Sequence, residues 1–89
     1  MYPFRWNDWN IEHIAEHGVV PIEVEFVVDT AEAPYPQRLG GGKFLIVGRT
    51  VEGRLLQVIY VLDPPGVSFV IHARPLNDRE KRRLRRRKR

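Results

Sequence analysis

Four side chains in the second half of the chain have the types and spacing to act on a phosphodiester. Arg49 and Arg54 flank one predicted turn. His72 and Arg74 lie two positions apart on the last predicted strand, and therefore on one face of it. Guanidinium groups bind phosphate oxygens and stabilise charge on phosphorus, while histidine transfers protons near neutral pH. This set predicts metal-free RNA cleavage through an activated 2′-hydroxyl; a merely solvated Arg54 and a hydrogen-bonded surface His72 are the alternatives.

The C-terminal segment, residues 79–89, is strongly basic. It holds nine of the fifteen Lys and Arg and a single acid, so it carries +8, whereas residues 1–78 carry −4. Such a block attracts phosphate because binding releases condensed counterions, although a solvated arm has similar composition. The candidate binding residues are Arg79, Lys81, Arg82, Arg83, Arg85 and Arg86.

Three apolar, β-rich runs must position the arginines and the histidine. They cover residues 44–51, 54–62 and 67–74, and the turns between them contain Glu52-Gly53 and residues 63–66. Short connections of this kind predict a three-stranded antiparallel meander. In the last strand, alternation places Phe69, Ile71 and Ala73 on the face opposite His72.

Two helices are predicted ahead of this sheet. Asn7 or Asp8 suits a helix N-cap, and His17-Gly18 reads as the end of that helix. Pro21 suits the first turn of a second helix, but the β-branched residues 22–28 leave a strand as a competitor. The stretch 33–42 predicts a loop with a short edge strand. Asn77 or Asp78 suits the cap of a final helix through the basic segment.

These elements predict one α+β domain, residues 1–78, with two N-terminal helices packed on an antiparallel sheet. Residues 79–89 then form a basic C-terminal helix or arm. The 89-residue chain has no cysteine, which excludes thiolate catalysis and cysteine-ligated zinc. It shows no signal peptide and no apolar run near the roughly 20 residues of a membrane span. We expect a soluble cytoplasmic protein that requires no cofactor.

Other residues allow a functional and a structural interpretation. His13 and His17 have the i, i+4 spacing of metal ligands, but their order differs from His-Glu-x-x-His, so we expect no metal site and favour a helix-capping role for His17. Residues 40–43 resemble a phosphate loop only superficially and more simply lead into a strand. The aromatic residues that suit either base stacking or the core are Trp6, Trp9, Phe26 and Phe44.

A series of short motifs runs along nearly the whole chain. In order they are Phe4-Arg-Trp6-Asn-Asp8, Asn10 with His17-Gly18-Val19, Phe26 with Asp29, Gly48-Arg49, Gly53-Arg54-Leu55-Leu56 with Val58 and Tyr60, Ile71-His-Ala-Arg74, and Glu80 with the arginines after it. Their order and spacing resemble the BrnT family, the toxins of bacterial type II toxin–antitoxin modules.

The resemblance implies a RelE-like fold, ribonuclease activity and neutralisation by a cognate ribbon-helix-helix antitoxin, as a homodimer or as a heterotetramer with it. It carries a substrate-binding or catalytic role onto Arg49, Arg54 and Arg74, and onto Glu80. An acidic antitoxin segment is then expected to lie along the basic end of the chain.

The chain departs from the family pattern at three positions. Glu16 stands where the family has lysine, His72 where it has serine, and Leu84 near a usual tyrosine. The alternative function is therefore a non-catalytic toxin-like protein that binds an antitoxin or nucleic acid through its basic tail.

Overall fold

The computed structural model describes residues 3–64 and 66–87, which form an α+β fold with three helices and one five-stranded sheet. The elements are β1 (Phe4–Arg5), α1 (Asp8–Ala15), α2 (Pro21–Asp29), β2 (Gln37–Gly40), β3 (Lys43–Arg49), β4 (Leu55–Asp63), β5 (Val67–Pro75) and α3 (Asp78–Arg87). The strand order is β1-β5-β4-β3-β2. None of the helices in these ranges is long and apolar enough to cross a membrane.

The predicted meander is confirmed, since β3, β4 and β5 pair antiparallel, and β2 adds the expected short edge strand. The expectation of a wholly antiparallel sheet is wrong, because β1 pairs parallel to β5 through Phe4 and Ser68. The backbone N–H of Ser68 also donates to the Pro3 carbonyl at 2.9 Å. A strand of two residues, such as β1, is too short to show the alternation of apolar and polar residues that predicts a strand.

α1 is joined to β1 by a buried asparagine. Asn7 is the N-cap, and its side chain accepts from the backbone N–H of Asn10 at 3.1 Å. The side-chain carbonyl oxygen of Asn10 accepts from the Asn7 backbone N–H at 2.8 Å. The side-chain amide of Asn10 donates to the Arg5 backbone carbonyl at 3.1 Å. Because Asn10 is fully buried, these bonds satisfy a side chain that would otherwise lose solvation.

Residues 22–28, whose sequence allows either a helix or a strand, lie in the helix α2. Pro21 occupies its first turn, and Glu23 accepts from the backbone N–H of Val20 at 3.1 Å. Val24 and Val27 are buried against the sheet. Gly48 on β3 allows the close approach, since a Cβ atom there would lie 3.2 Å from the Val27 side chain. Packing against β3 and β4 therefore outweighs the strand preference of the β-branched residues.

One face of the sheet, the inner face, forms the core with α1 and α2. Its buried strand residues are Ile46, Leu56, Val58, Tyr60, Val70 and Ala73. The helices contribute Ile14, Val24 and Val27, and the turn between them contributes Val19.

A β-bulge interrupts β5. Ile59 pairs with His72 and the next residue, Tyr60, pairs with Val70. Ile71 is therefore one extra residue on β5, opposite no residue of β4.

The bulge changes which side chains share a face. His72 and Arg74 lie on the same face and Ala73 on the opposite, inner face, as the alternation predicts. The prediction that Phe69 lies opposite His72 is wrong, because the inserted Ile71 shifts the alternation by one position. Phe69 and His72 therefore lie on the same outer side of the sheet.

The basic segment is helical through Arg87, and residues 88–89 lie outside the described residues. Asn77 caps this helix by accepting from the Glu80 backbone N–H at 2.8 Å. The Glu80 carboxylate accepts from the Asn77 backbone N–H at 2.9 Å, which completes a capping box. Carboxylates in the first turn, Asp78 and Glu80, also favour the helix start through the helix dipole.

We expect Asn10→Ala to lower the free energy of unfolding by about 2–3 kcal/mol, because it removes a capping partner and leaves the Arg5 carbonyl without its donor. Urea denaturation followed by tryptophan fluorescence measures this loss. Glu12→Ala, at an exposed position of the same helix, is the control and should stay within about 0.5 kcal/mol of the parent. Equal losses in the two variants would contradict the joining role of Asn10.

Candidate functional site

The face of the sheet opposite the core, the outer face, carries His72 and Arg74, two of the residues predicted to act on a phosphodiester. Its central side chains are Leu45, Val47, Gln57, Ile59, His72 and Arg74. α3 lies beside this face, because a groove of about 170 Å³ is lined by Val47 and Gln57 on one side and by Glu80 and Leu84 on the other. The basic helix therefore lies along the part of the outer face that carries Val47, Gln57 and Arg74.

Three histidines meet at the other side of the outer face; we call them the histidine cluster. The ring centroid of His72 lies 5.7 Å from that of His17 and 6.4 Å from that of His13, both edge-on. α1 reaches β5 here because β1 pairs only with Ser68 and Phe69. The cluster was not expected from sequence, although the i, i+4 spacing of His13 and His17 was visible.

Aromatic rings hold the cluster in place. Trp9 stacks on His13 with centroids 5.1 Å apart and on Phe69 at 5.9 Å. The Arg5 guanidinium lies 4.0 Å from the Phe69 ring and binds Asp63 at 2.8 Å. The Trp9 side of the cluster stays open, since Trp9 is 53% exposed.

The other aromatic candidates divide between core and surface. Trp6 packs on the core and donates its indole N–H to Glu25 at 2.7 Å, and Phe44 stacks on Tyr60 with centroids 5.5 Å apart. Phe26 is exposed at the end of α2. Of these, only Phe26 presents an accessible ring for stacking with a base.

His72 is the histidine whose environment favours the neutral ring. Partial burial is the main cause that lowers the pKa of His72 below its ordinary value, followed by the positive charge of Arg74 and then by His17 and His13. A neutral imidazole accepts a proton, so this position suits a general base.

Arg74 and Glu80 form a bidentate ion pair between β5 and α3. The two guanidinium Nη atoms donate to the two carboxylate oxygens at 2.8 and 2.7 Å, and Nη1 also donates to the Pro75 carbonyl at 3.1 Å. The Arg74 hydrogen bond and then the Asn77 N–H lower the pKa of Glu80 to about 2. The same hydrogen bond raises the pKa of Arg74, which therefore stays cationic.

The ion pair leaves one edge of Arg74 free. Within the described residues, Nε and the second hydrogen of Nη2 donate to no group. These two N–H groups point along the side of the guanidinium and fit two oxygens of one phosphate.

Arg49 lines the same surface depression as two cations of α3, Lys81 and Arg85. Its Nη1 donates to the Gly53 carbonyl at 2.9 Å, within the hairpin. A shallow depression of about 340 Å³ separates it from Lys81 and Arg85. Arg49 therefore belongs to a positively charged surface beside the outer face.

Arg54 binds groups in the N-terminal half of the chain. Its Nη2 donates to the Gly18 carbonyl and to the Glu23 carboxylate, both at 2.9 Å. It thus binds the turn that follows α1, where Gly18 has φ +70°, to the first turn of α2. This contact gives Arg54 a positioning role for the turn that carries His17.

The six predicted binding cations of α3 are all exposed, and none of them forms an ion pair in the part of the chain that the structure describes. They are Arg79, Lys81, Arg82, Arg83, Arg85 and Arg86. Their charge is available to an anionic partner.

Two alternatives from the sequence can be compared with this geometry. No set of three or more metal-ligating side chains comes close enough to hold an ion within residues 3–64 and 66–87. Gly40, Gly41 and Gly42 all have positive φ; Gly40 ends β2, and Gly41 and Gly42 form the turn to β3. That turn leads into a strand, whereas a phosphate loop leads into a helix.

Glu80→Gln tests the ion pair through pH. Folded Glu80 stays ionised down to about pH 2, whereas the unfolded carboxyl protonates near pH 4.5. Stability from this group is complete above pH 4.5 and is lost as pH falls toward 2. We therefore expect the free energy of unfolding of the variant to fall less steeply than that of the parent between pH 4.5 and pH 2 (the acid limb). At pH 7 the variant should lose about 1 kcal/mol or less of this free energy, because the ion pair is solvent-accessible.

The matched control is Glu52→Gln, in the exposed β3–β4 turn. It should keep the acid limb of the parent protein. An acid limb that is unchanged in Glu80→Gln would show that the ion pair does not stabilise the fold.

Comparison with known proteins returns no matching family model, no matching curated protein and no matching solved structure.

Proposed function

We propose that this protein is a metal-independent RNA endonuclease with a RelE-like fold, the toxin of a type II toxin–antitoxin system neutralised by a ribbon-helix-helix antitoxin. The observation that carries the nuclease proposal is the position of His72 beside Arg74 on the outer face, next to the basic helix α3. Base, phosphate-binding group and electrostatic attraction for RNA are thus adjacent.

The reaction uses groups already in place. His72 takes the proton of a ribose 2′-hydroxyl, and the 2′-oxygen attacks the neighbouring phosphorus. The free edge of Arg74 binds the phosphate oxygens as negative charge grows on them. The bond to the 5′-oxygen breaks and that oxygen takes up a proton from water or a neighbouring acid, which leaves a 2′,3′-cyclic phosphate and a 5′-hydroxyl. The histidine and the guanidinium can perform these steps without a metal.

The cations of α3 supply affinity for RNA. Segment 79–89 carries +8 while the remainder of the chain carries −4, so the RNA backbone is attracted to one side of the molecule. Arg49 extends this charge toward the hairpin. An RNA strand that follows α3 passes beside Arg74, because Arg74 is bound to Glu80 of that helix.

The toxin–antitoxin part of the proposal is supported by the order of sequence motifs and by the charge of α3. The motif residue Gly18 contacts another motif residue, Arg54, and Arg74 contacts Glu80. An acidic antitoxin segment along α3 would compete with RNA for the same cations. Co-expression with a neighbouring ribbon-helix-helix reading frame should restore growth.

One observation favours a second candidate, a non-catalytic toxin-like protein that binds RNA or an antitoxin through α3. Arg54 and Arg74 both contact carboxylates, which reduces the positive charge available to a substrate. This candidate predicts salt-sensitive RNA binding and no cleavage at any protein concentration.

His72→Gln and Arg74→Ala test the nuclease. We expect each to lower the rate of RNA cleavage about 10²–10⁴-fold, since each removes a group that acts on the reacting atoms. Both should relieve growth arrest on expression while circular dichroism shows a folded protein.

Glu80→Gln is the matched control for Arg74→Ala. It breaks the same ion pair but keeps the guanidinium. It should retain cleavage within about tenfold of the parent if Arg74 binds phosphate. Equal loss in the two variants would mean that Arg74 acts only by holding α3, and full activity of Arg74→Ala would remove its assigned role.

Replacing Arg82, Arg83, Arg85 and Arg86 by glutamine tests the role of α3. The slope of log K against log salt for single-stranded RNA should become shallower by about 3, at about 0.7 per lost phosphate contact. Replacement of the same four residues by lysine should keep the slope. The glutamine variant should also weaken the antitoxin complex; unchanged salt dependence and affinity would contradict binding through α3.

A further inference from the structure

We infer that His17 is the second proton-transfer group of this nuclease, and that His17 and His72 form an acid–base pair that brackets the scissile phosphate of a single-stranded RNA. This inference rests on the proposed nuclease function. It adds a group that the sequence pattern did not place at the site, because His17 and His72 lie in different elements, 55 positions apart.

The spacing of the two rings fits one phosphate group. Their centroids are 5.7 Å apart and their planes meet at 65°. A ring nitrogen of each can reach the same phosphate, because each hydrogen bond spans about 2.8 Å and neighbouring phosphate oxygens are closer than that. Arg74 lies two positions along β5 from His72, on the same face, and is close enough for its positive charge to act on the His72 ring.

His17, and not His13, is placed for this role. His13 is half-buried, its ring is stacked on Trp9, and its centroid lies 6.4 Å from that of His72, farther than His17. His17 is exposed and follows the end of α1. The Gly18 carbonyl next to it accepts from Arg54, which fixes the backbone of this turn.

The charged groups around His72 agree with its role as the base. It faces His13 and His17 from α1 and the turn after it, and Arg74 from β5 itself. These positive or protonatable neighbours favour neutral His72, so it is ready to accept a proton. In this pair, His17 is the group that donates a proton.

The step is balanced in protons and bonds. His72 removes the proton of the 2′-hydroxyl, the 2′-oxygen bonds to phosphorus, and the phosphorus–5′-oxygen bond breaks. The 5′-oxygen leaves with the proton of His17. His72 then releases its proton to solvent, and His17 takes one up from solvent. No co-reactant is consumed.

A substrate with a better leaving group isolates the role of His17. In an RNA whose scissile 5′-oxygen is replaced by sulfur, the leaving thiolate needs no general acid, since a thiol has a pKa of about 8.5. We expect His17→Gln to cleave the ordinary RNA about 10²–10³-fold more slowly than the parent, but the 5′-thio RNA within about fivefold of it. His72→Gln should be slow on both substrates.

The pH profile gives an independent readout. The parent should show a bell-shaped dependence of kcat/KM, with an acid limb from the base and an alkaline limb from the acid. His17→Gln should lose the alkaline limb only. His13→Gln is the matched control and should keep both limbs and a rate within about tenfold of the parent.

The outcomes separate the two proposals. A parent protein that cleaves no RNA overturns the nuclease function and the pair together. Suppose instead that the parent cleaves RNA. If His17→Gln then cleaves ordinary RNA as fast as the parent, or is slowed as much on the 5′-thio RNA as on ordinary RNA, the pair is overturned and the nuclease function stands. A greater loss in His13→Gln than in His17→Gln also overturns the assignment of the acid.

Discussion

The arrangement of the outer face depends on the carboxylate of Glu80. It binds both Nη atoms of Arg74 on β5 and the backbone N–H of Asn77 at the start of α3. A helix rich in like charges is unfavourable in isolation, because its arginines repel one another. The capping box and the contact with Arg74 offset that repulsion at the first turn. The sheet therefore fixes where the positive charge of the helix begins.

Much of this fold follows from local sequence signals. The strand and helix boundaries agree with the predicted turns and caps to within two residues at most ends, because Gly53 and Asn77 have strong positional preferences. Two segments were ambiguous, α2 between helix and strand and the basic segment between helix and arm; at α2, tertiary packing against Gly48 decides in favour of the helix. The parallel strand β1 was missed, because pairing of two residues leaves no periodic pattern.

The candidate site was less predictable than the fold. Arg74, Glu80 and His72 were placed by alternation and by motif order, and they do lie at one face. The histidine cluster needed two facts that sequence periodicity does not carry. One is the bulge at Ile71, which shifts the alternation, and the other is the position of α1 beside β5. Contacts between distant elements depend on tertiary packing, and a single sequence does not encode them in a local pattern.

Arg74 is bound to a carboxylate, but the contact occupies only part of its guanidinium. Glu80 uses the end of the guanidinium, where Nη1 and Nη2 point the same way, and the Pro75 carbonyl takes the remaining Nη1 hydrogen. The Nε–Nη2 side stays available within the described residues, so a phosphate does not have to displace the carboxylate. Glu80 also holds the guanidinium rigid, which lowers the entropy that a substrate must remove on binding. The contact that anchors α3 therefore also holds the end of the Arg74 guanidinium, and it leaves the Nε–Nη2 edge open to the phosphate of the proposed substrate.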